Sequence, residues 1–486
     1  MSPVLEQFFD ALQQYSGRPA LVEANTSLDY AGLLAQIGAR VQRLHQAGAR
    51  RLGLALDNGI DWVLWDLAAL RAGVVCVPLP GFFSPDQQQH VLDSAGVDSL
   101  IATEPALYKQ WGFNESLPGI FQRLPARVPD LPEGTLKITY TSGTTGQPKG
   151  VCLDADIQLR VARSLWQASL PCRVEKHLCV LPLATLLENI AGVYAPLMAG
   201  ACIELAPMAQ IGLRGASQFD LPSFLGSLNR VQPNSLILLP QLLLALVTAA
   251  ERGLPLPQSL RFIAVGGGRV APQLLARAEA LGLPVYEGYG LSECASVVCL
   301  NAPGKRQPGS VGQPLQHVAV QLAADGEVLV KGARMLGYVG EPALTGEWLA
   351  TGDLGHFEGD FLVLHGRKKH QFITAFGRNV NPEWVESELV QQLPIAQTWL
   401  HGEALPANVA VVVARFAATT DAEIAGAIVE VNQRLPDYAR VHHWLRAAEP
   451  FSAANGLATA NGRLRRAALA EHYQSAIEQC LAAEVV

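Results

Sequence analysis

At 486 residues the chain is longer than one compact core accommodates, which predicts two or three domains. Apolar residues make up 49% of it, which excludes a disordered chain. A formal charge of −7 excludes the basic field that nucleic-acid binding needs.

The eight cysteines show no C-x-x-C spacing, so reduced thiols in a cytoplasmic protein are expected. Cys172/Cys179 and Cys294/Cys299 are the nearest pairs, and neither has metal-site spacing. The first residues lack a basic start followed by an apolar core, so no secretory signal is expected. The most apolar run, residues 236–247, is broken by Pro240 and Gln241. It falls short of the ~20 residues a membrane span needs, and a buried strand leading into a helix is expected there.

In chain order, Ser2 and Pro3 suit the N-cap and first position of a helix whose apolar face is Leu5, Phe8, Phe9 and Leu12. Asp29 suits the cap of a second helix, with Leu33, Leu34, Ile37, Val41 and Leu44 at helical spacing. Residues 52–56 then read as strand, 62–70 as helix and 74–77 as strand. This rhythm predicts parallel sheets covered by helices. It continues with strands at 179–181, 202–205, 236–239, 262–265 and 285–286, and a helix at 187–198. After about residue 310, runs at 318–322, 327–330 and 361–364 are separated by glycines and Asp360, which predicts antiparallel hairpins. A smaller α+β segment follows. The basic turn Gly366-Arg367-Lys368-Lys369 marks the expected boundary, giving domains 1–367 and 368–486.

The densest motif is Thr141-Ser142-Gly143-Thr144-Thr145-Gly146-Gln147-Pro148-Lys149-Gly150, which follows the strand-like Ile138-Thr139-Tyr140. Glycines let backbone N–H groups approach a ligand, hydroxyls donate to oxyanions, and lysine adds a mobile charge. A polyphosphate uses all three. The G-x-x-x-x-G-K-[ST] spacing of a Walker A loop is absent. Gly266-Gly267-Gly268 follows a strand and would let a flat ligand reach the backbone, although a tight strand-to-helix turn uses the same residues. Tyr289-Gly290-Leu291-Ser292-Glu293 sets a ring, a hydroxyl and a carboxylate together, suited to stacking on a base, a phosphate contact and Mg²⁺. A capped helix start is the alternative. Thr351-Gly352-Asp353 offers a carboxylate for ribose hydroxyls or an Asx turn. His442 and His443 point apart in a strand and read as structural or surface residues.

Taken in order, these segments resemble the motifs of the adenylate-forming superfamily, which includes acyl-CoA synthetases, luciferases and peptide-synthetase adenylation domains. The resemblance covers nearly the whole chain. It implies an α/β fold: a large N-terminal domain of stacked α/β sheets plus a β-barrel-like portion, and a small mobile α+β C-terminal lid. It implies that Thr141, Ser142, Gly143, Thr144, Thr145, Gly146 and Lys149 hold the phosphates of ATP. Gly267 and Gly268 would line the adenine pocket. Tyr289 would stack on adenine, Gly290 would belong to the same nucleotide site, Ser292 would meet the α-phosphate and Glu293 would hold Mg²⁺. Asp353 and Arg367 would bind ribose, and Lys369 would be the hinge. Near the end, Thr459-Ala460-Asn461-Gly462-Arg463 stands where the family carries its last motif. Arg463 takes the place of a lysine that bridges the carboxylate and the α-phosphate, keeping the charge on a planar group.

The stretch Gly377-Arg378-Asn379-Val380-Asn381-Pro382 and the segment Pro182-Leu183-Ala184-Thr185-Leu186-Leu187-Glu188 resemble the long-chain fatty acyl branch. Thr185 replaces that branch's histidine, which puts the gate to the acid site in doubt. The activity implied is an ATP-dependent acid–thiol ligase that joins an apolar, fatty-type carboxylic acid to coenzyme A. Residues 236–247 and the segment around Trp166 are candidates for the acid pocket. The rival readings are a ligase for an acyl carrier protein, a β-lactone-forming relative and a non-catalytic nucleotide- or lipid-binding relative.

Overall fold

The structure is a computed structural model and describes residues 2–141, 148–214, 218–459 and 462–482. Ser142, Gly143, Thr144, Thr145, Gly146 and Gln147 of the glycine- and hydroxyl-rich motif, and Ala460 and Asn461 near the end, lie outside the described residues.

Two large sheets carry the N-terminal part. One has eight strands in the spatial order Gly337–Tyr338, Lys149–Leu153, Lys137–Thr141, Val75–Pro78, Arg51–Ala55, Ser99–Ala102, Ile120–Gln122, Asn114–Leu117. Its centre is parallel and its edges are antiparallel. The other has nine strands, with a parallel run through Val285–Tyr289, Phe262–Val265, Ser235–Leu238, Lys176–Leu178, Cys202–Leu205 and Pro19–Glu23. The largest core lies between the sheets. It is filled by the helices Pro3–Gln13, Tyr30–Ala47, Ile60–Ala72 and Ala155–Ser169, which meet buried residues of both sheets such as Leu54 and Ile203. Each outer sheet face has its own helical cover and core. The helix Ile60–Ala72 is buried on nearly every side, as an interior helix should be.

Local signals read from the sequence hold at the start of the chain. The Ser2 hydroxyl accepts from the Leu5 N–H at 3.3 Å, and the Asp29 carboxylate accepts from the Gly32 N–H at 2.7 Å. Val318–Leu322, Glu327–Gly332, Trp348–Glu358 and Phe361–Arg367 form a four-stranded antiparallel sheet, as the hairpin pattern predicts. The last part is α+β: three strands, Ile395–His401, Asn408–Ala414 and Val441–Arg446, packed with the helices Pro382–Leu389, Asp421–Asn432 and Arg466–Ala482. Among the described residues no helix is long and apolar enough to cross a membrane.

Two elements differ from expectation. The strand expected at 179–181 is Lys176–Leu178. The helix expected at 187–198 is a π-helix over Glu188–Tyr194 that passes into Ala195–Met198. Pro196 has no N–H to return to the Gly192 carbonyl, which accepts the Cys179 thiol at 3.6 Å. An i→i+5 repeat also sets Asn189 and Tyr194 on one face. Both reach the buried ion pair of Lys137 and Asp66, 2.8 Å apart: Lys137 donates to the Tyr194 hydroxyl at 3.0 Å and to Asn189. Tyr194 and Asn189 in turn donate to Asp66 at 2.7 and 2.9 Å. The pair is buried and braced by both side chains. They pin the start of Lys137–Thr141, the strand that leads into the glycine- and hydroxyl-rich motif.

Candidate active site

One cleft of about 2060 Å³ runs along the C-terminal ends of the nine-stranded sheet and under the C-terminal part. Its walls include Thr141 and Lys149 from the paired strands Lys137–Thr141 and Lys149–Leu153, and Gly266 to Gly268 from the turn after Phe262–Val265. Tyr289, Gly290, Ser292, Glu293, Asp353 and Arg367 also line it, as do Lys369 and Arg463 from the far side. The described residues singled out from the sequence therefore converge.

The glycines are required by close approach. A Cβ on Gly290 would lie 1.5 Å from the Ser296 carbonyl oxygen, and one on Gly266 would lie 3.1 Å from that of Gly288. Gly267 has φ +76°, a backbone conformation that glycine adopts without strain. Gly290→Ala is expected to destabilise the protein by about 1–3 kcal/mol through overpacking. A thermal melt matching wild type would show that the Ser296 carbonyl yields.

Asp353 and Arg367 are fourteen residues apart in sequence but sit opposite each other in the antiparallel ladder. Arg367 Nε lies 2.8 Å from Asp353 Oδ1, and its Nη1 donates to the Thr351 carbonyl at 3.2 Å. The Tyr289 hydroxyl donates to Asp353 Oδ2 at 2.6 Å. Burial raises the Asp353 carboxyl, and Arg367 opposes it. Burial and the Asp353 charge both push the Tyr289 phenol up, so it stays a donor. The Tyr338 hydroxyl donates to Glu293 Oε1 at 3.0 Å, orienting that carboxylate on the cleft wall. Lys149 Nζ sits 3.3 Å from Glu341 and over the Tyr338 ring, in an exposed pair that an anionic ligand can exchange at little cost.

Arg463 is held by a tight loop. Its N–H donates to the Thr459 hydroxyl at 3.0 Å, and its carbonyl accepts from the Thr459 N–H at 2.7 Å. Just beyond, Arg466 grips Glu386 through two nitrogens at 2.9 and 2.6 Å and fixes the start of the last helix. Burial lowers the Arg463 guanidinium and Arg367 adds to this, while Glu293, Glu383 and Asp353 hold it up. Arg463 thus lies within the field of the carboxylates at the cleft. Burial also lowers Lys369, with help from Arg367 and Arg463. Its neighbour Lys368 binds Asp325 at 2.5 Å and Glu327 at 3.1 Å on the four-stranded sheet.

Three carboxylates went unread in the sequence. Glu287 faces the cleft two residues before Tyr289, on the same side of the strand. Its Oε2 has no hydrogen-bond partner, and burial pushes its pKa up to about 8 against the pull of Arg269. A carboxylate inside an apolar strand was the available signal. Glu383 pairs with His370 Nδ1 at 2.6 Å. Burial pushes Glu383 up, but His370 and Arg466 overcome this and leave it lowered. Glu341 partners Lys149.

The acid-pocket candidates separate. Residues 236–247 supply the cleft walls Leu236, Ile237, Leu239, Leu242 and Leu244. Trp166 packs against the main core, and its neighbours Leu165 and Ser169 reach the cleft. The Thr185 hydroxyl donates to the Pro182 carbonyl at 2.6 Å within its own turn.

The sequence matches the family model for AMP-binding enzymes over residues 8–352, and that for the AMP-binding enzyme C-terminal domain over residues 369–484. The chain belongs to the AMP-binding enzyme family. It is 25% identical over 464 residues to long-chain-fatty-acid–CoA ligase 6 of Rattus norvegicus, covering 73% of this chain and 64% of that protein. The chain thus spans less than two thirds of that relative's length. It is 24% identical to 2-succinylbenzoate–CoA ligase of Bacillus subtilis, covering 79% and 82%. Among solved structures, an anthranilate CoA ligase in complex with anthranoyl-AMP superposes with a TM-score of 0.80 at 20% identity, over 96% of both chains. The o-succinylbenzoate coenzyme A synthetase of Bacillus subtilis with ATP and magnesium ion gives 0.76 at 22%, over 94% and 98%. The expected adenylate-forming fold, a large N-terminal and a small C-terminal α/β domain, is therefore the observed one.

Proposed function

We propose that this chain is an ATP-dependent ligase that adenylates an apolar carboxylic acid and then passes the acyl group to coenzyme A. The observation that carries this reading is the meeting of Lys149, Glu293, the Asp353–Arg367 pair and Arg463 in one cleft. The relatives' activities and the neighbour holding ATP and magnesium support it.

In the first step a carboxylate oxygen attacks the α-phosphorus of ATP, the bond to the β-phosphate breaks and pyrophosphate leaves. The protein's task is positioning and charge stabilisation. Asp353, kept polar by Arg367 and Tyr289, accepts from the ribose hydroxyls. Lys149 exchanges Glu341 for phosphate oxygens, and Thr141 lines the same cleft. Ser292 reaches the α-phosphate, and the turn from Gly266 to Gly268 lies against adenine. Glu293 presents hard oxygen, which fits Mg²⁺; the ion supplies charge neutralisation on the phosphates. Arg463 bridges the acid and the α-phosphate.

In the second step the thiol attacks the acyl carbonyl and AMP leaves. Residues 1–367 and 368–486 act as body and lid in this reading, with Lys369 as the pivot. Rotation withdraws Arg463 and opens the thiol's path. Lys369→Pro is expected to spare pyrophosphate release and slow thioester formation at least tenfold. Equal loss in both half-reactions would count against the pivot.

Pyrophosphate release across a panel of fatty and aryl acids, with and without coenzyme A, tests the whole reading. Release with an acid and thioester with coenzyme A are expected. ATP binding without release for any acid would overturn it. A thioester formed only on a phosphopantetheinyl carrier, or a lactone formed without any thiol, would redirect the second step.

A further inference from the structure

The cleft's inner arm runs between the nine-stranded sheet and the helices packed on it. Ile237, Phe262 and Ala264 wall it on the sheet side, and Leu187, Ala191 and Ala195 on the helix side. Two polar side chains, Ser235 and His177, paired across adjacent strands, belong to the same lining.

His177 Nδ1 lies 2.8 Å from the Ser235 hydroxyl. On its other side, His177 Nε2 lies 3.3 Å from Glu188 Oε1, and Glu188 is fully buried. The Leu181 N–H donates to Glu188 Oε2 at 3.3 Å. The π-helix is pressed onto this pair: a Cβ on Gly192 would lie 2.6 Å from Glu188 Oε1 and 2.9 Å from His177 Nε2. Although Cys179, His177 and Glu188 bring their ligand atoms within 4.8 Å, a metal is not needed to satisfy them. The thiol faces the Gly192 carbonyl, and the histidine and glutamate face each other.

The direction of these bonds decides what the arm offers. In the tautomer whose Nε2–H faces the Glu188 oxygen, His177 Nδ1 is an acceptor. Ser235 then donates to Nδ1 and turns its lone pairs into the arm. A bare hydrocarbon against those lone pairs leaves a desolvated acceptor unmatched, whereas a hydroxyl or amine satisfies it. Ser235 pairs with Phe262, four residues before Gly266, so it lies roughly 13 Å from the nucleotide-binding turn by strand rise.

We propose that Ser235, backed by His177 and Glu188, is a specificity site for an acid that carries a hydrogen-bond donor, a hydroxyl or amine, on the part of its body remote from the reacting carboxyl. The proposal rests on the ligase reading above and names the substrate class it takes. It predicts a selectivity that a merely structural polar trio would not produce.

The test compares matched acids, an unbranched alkanoic acid and the same acid with a hydroxyl toward its far end. Pyrophosphate release is measured for wild type, Ser235→Ala and His177→Phe. Wild type is expected to favour the hydroxy acid in kcat/KM by about tenfold, chiefly through KM. Ser235→Ala should bring the ratio to near unity or reverse it. Calorimetric binding of the same two acids gives the comparison without turnover, and thermal melts show that each variant folds. An unchanged ratio in folded Ser235→Ala, or a wild type that prefers the plain acid in both assays, overturns the proposal. Absence of release with every acid sinks the ligase reading instead, and the calorimetric ratio still decides the role of Ser235.

Discussion

Arg463→Ala is expected to slow acyl-adenylate formation by about a thousandfold, while Arg463→Lys stays within about tenfold of wild type. A unit charge about 4 Å from a phosphoryl oxygen is worth about 4 kcal/mol at an effective dielectric near 20, and each 1.36 kcal/mol is about tenfold in rate. Arg463 lines the cleft as an exposed residue, with Arg367 as its cationic neighbour and Glu293, Glu383 and Asp353 as counter-charges. Alanine leaves those carboxylates to repel the incoming acid. Lysine restores the charge but not the planar fork, which is why its effect is small and not zero. Pyrophosphate release measures the first step, and single-turnover thioester formation from a supplied acyl-adenylate measures the second. Loss in the first step with the second preserved is the expected pattern. An alanine variant that matches wild type in both would remove Arg463 from the chemistry.

The parts of this site legible in the sequence were those with several chemistries packed into a few positions. Thr141 and Lys149, at the two ends of the described part of the first run, and the run from Tyr289 to Glu293 reach the cleft from a strand end or a turn. Asp353 and Arg367 were named together through the resemblance alone, and their pairing across a hairpin appears only in the ladder. What stayed hidden depends on tertiary choice. The Lys137–Asp66 pair joins a strand to a distant helix, and nothing in either segment alone announces it. The π-helix from Glu188 to Tyr194 has the composition of an ordinary apolar helix. Its register is set from outside, by Lys137 on one side and His177 on the other. Glu287 was hidden by its neighbours: a single acid in an apolar strand gives no spacing to read.

Glu287→Gln is expected to stabilise the protein near neutral pH by about 3 kcal/mol, an unusual sign for a change at a cleft residue. Burial raises the Glu287 pKa from 4.5 to about 8. Between those values the folded state keeps a proton that the unfolded state releases. Native stability therefore falls as pH rises through that window. At pH 7 the gap of about 2.5 units corresponds to about 3 kcal/mol. Glutamine removes the titration and keeps an acceptor and a donor in the same place. Its advantage over wild type should be largest near pH 8 and vanish below pH 4.5, which melting temperatures across that range will read. A pH-independent difference would show that Glu287 is not held protonated. The same residue offers an unpartnered oxygen to the cleft. In the ligase reading that oxygen faces the nucleotide, so Glu287→Ala should raise KM for ATP about tenfold, the loss of one hydrogen bond from the neutral acid, whereas Glu287→Gln should leave it within a few-fold. A strand that tolerates a destabilising acid beside Tyr289 is then explained by what the acid binds.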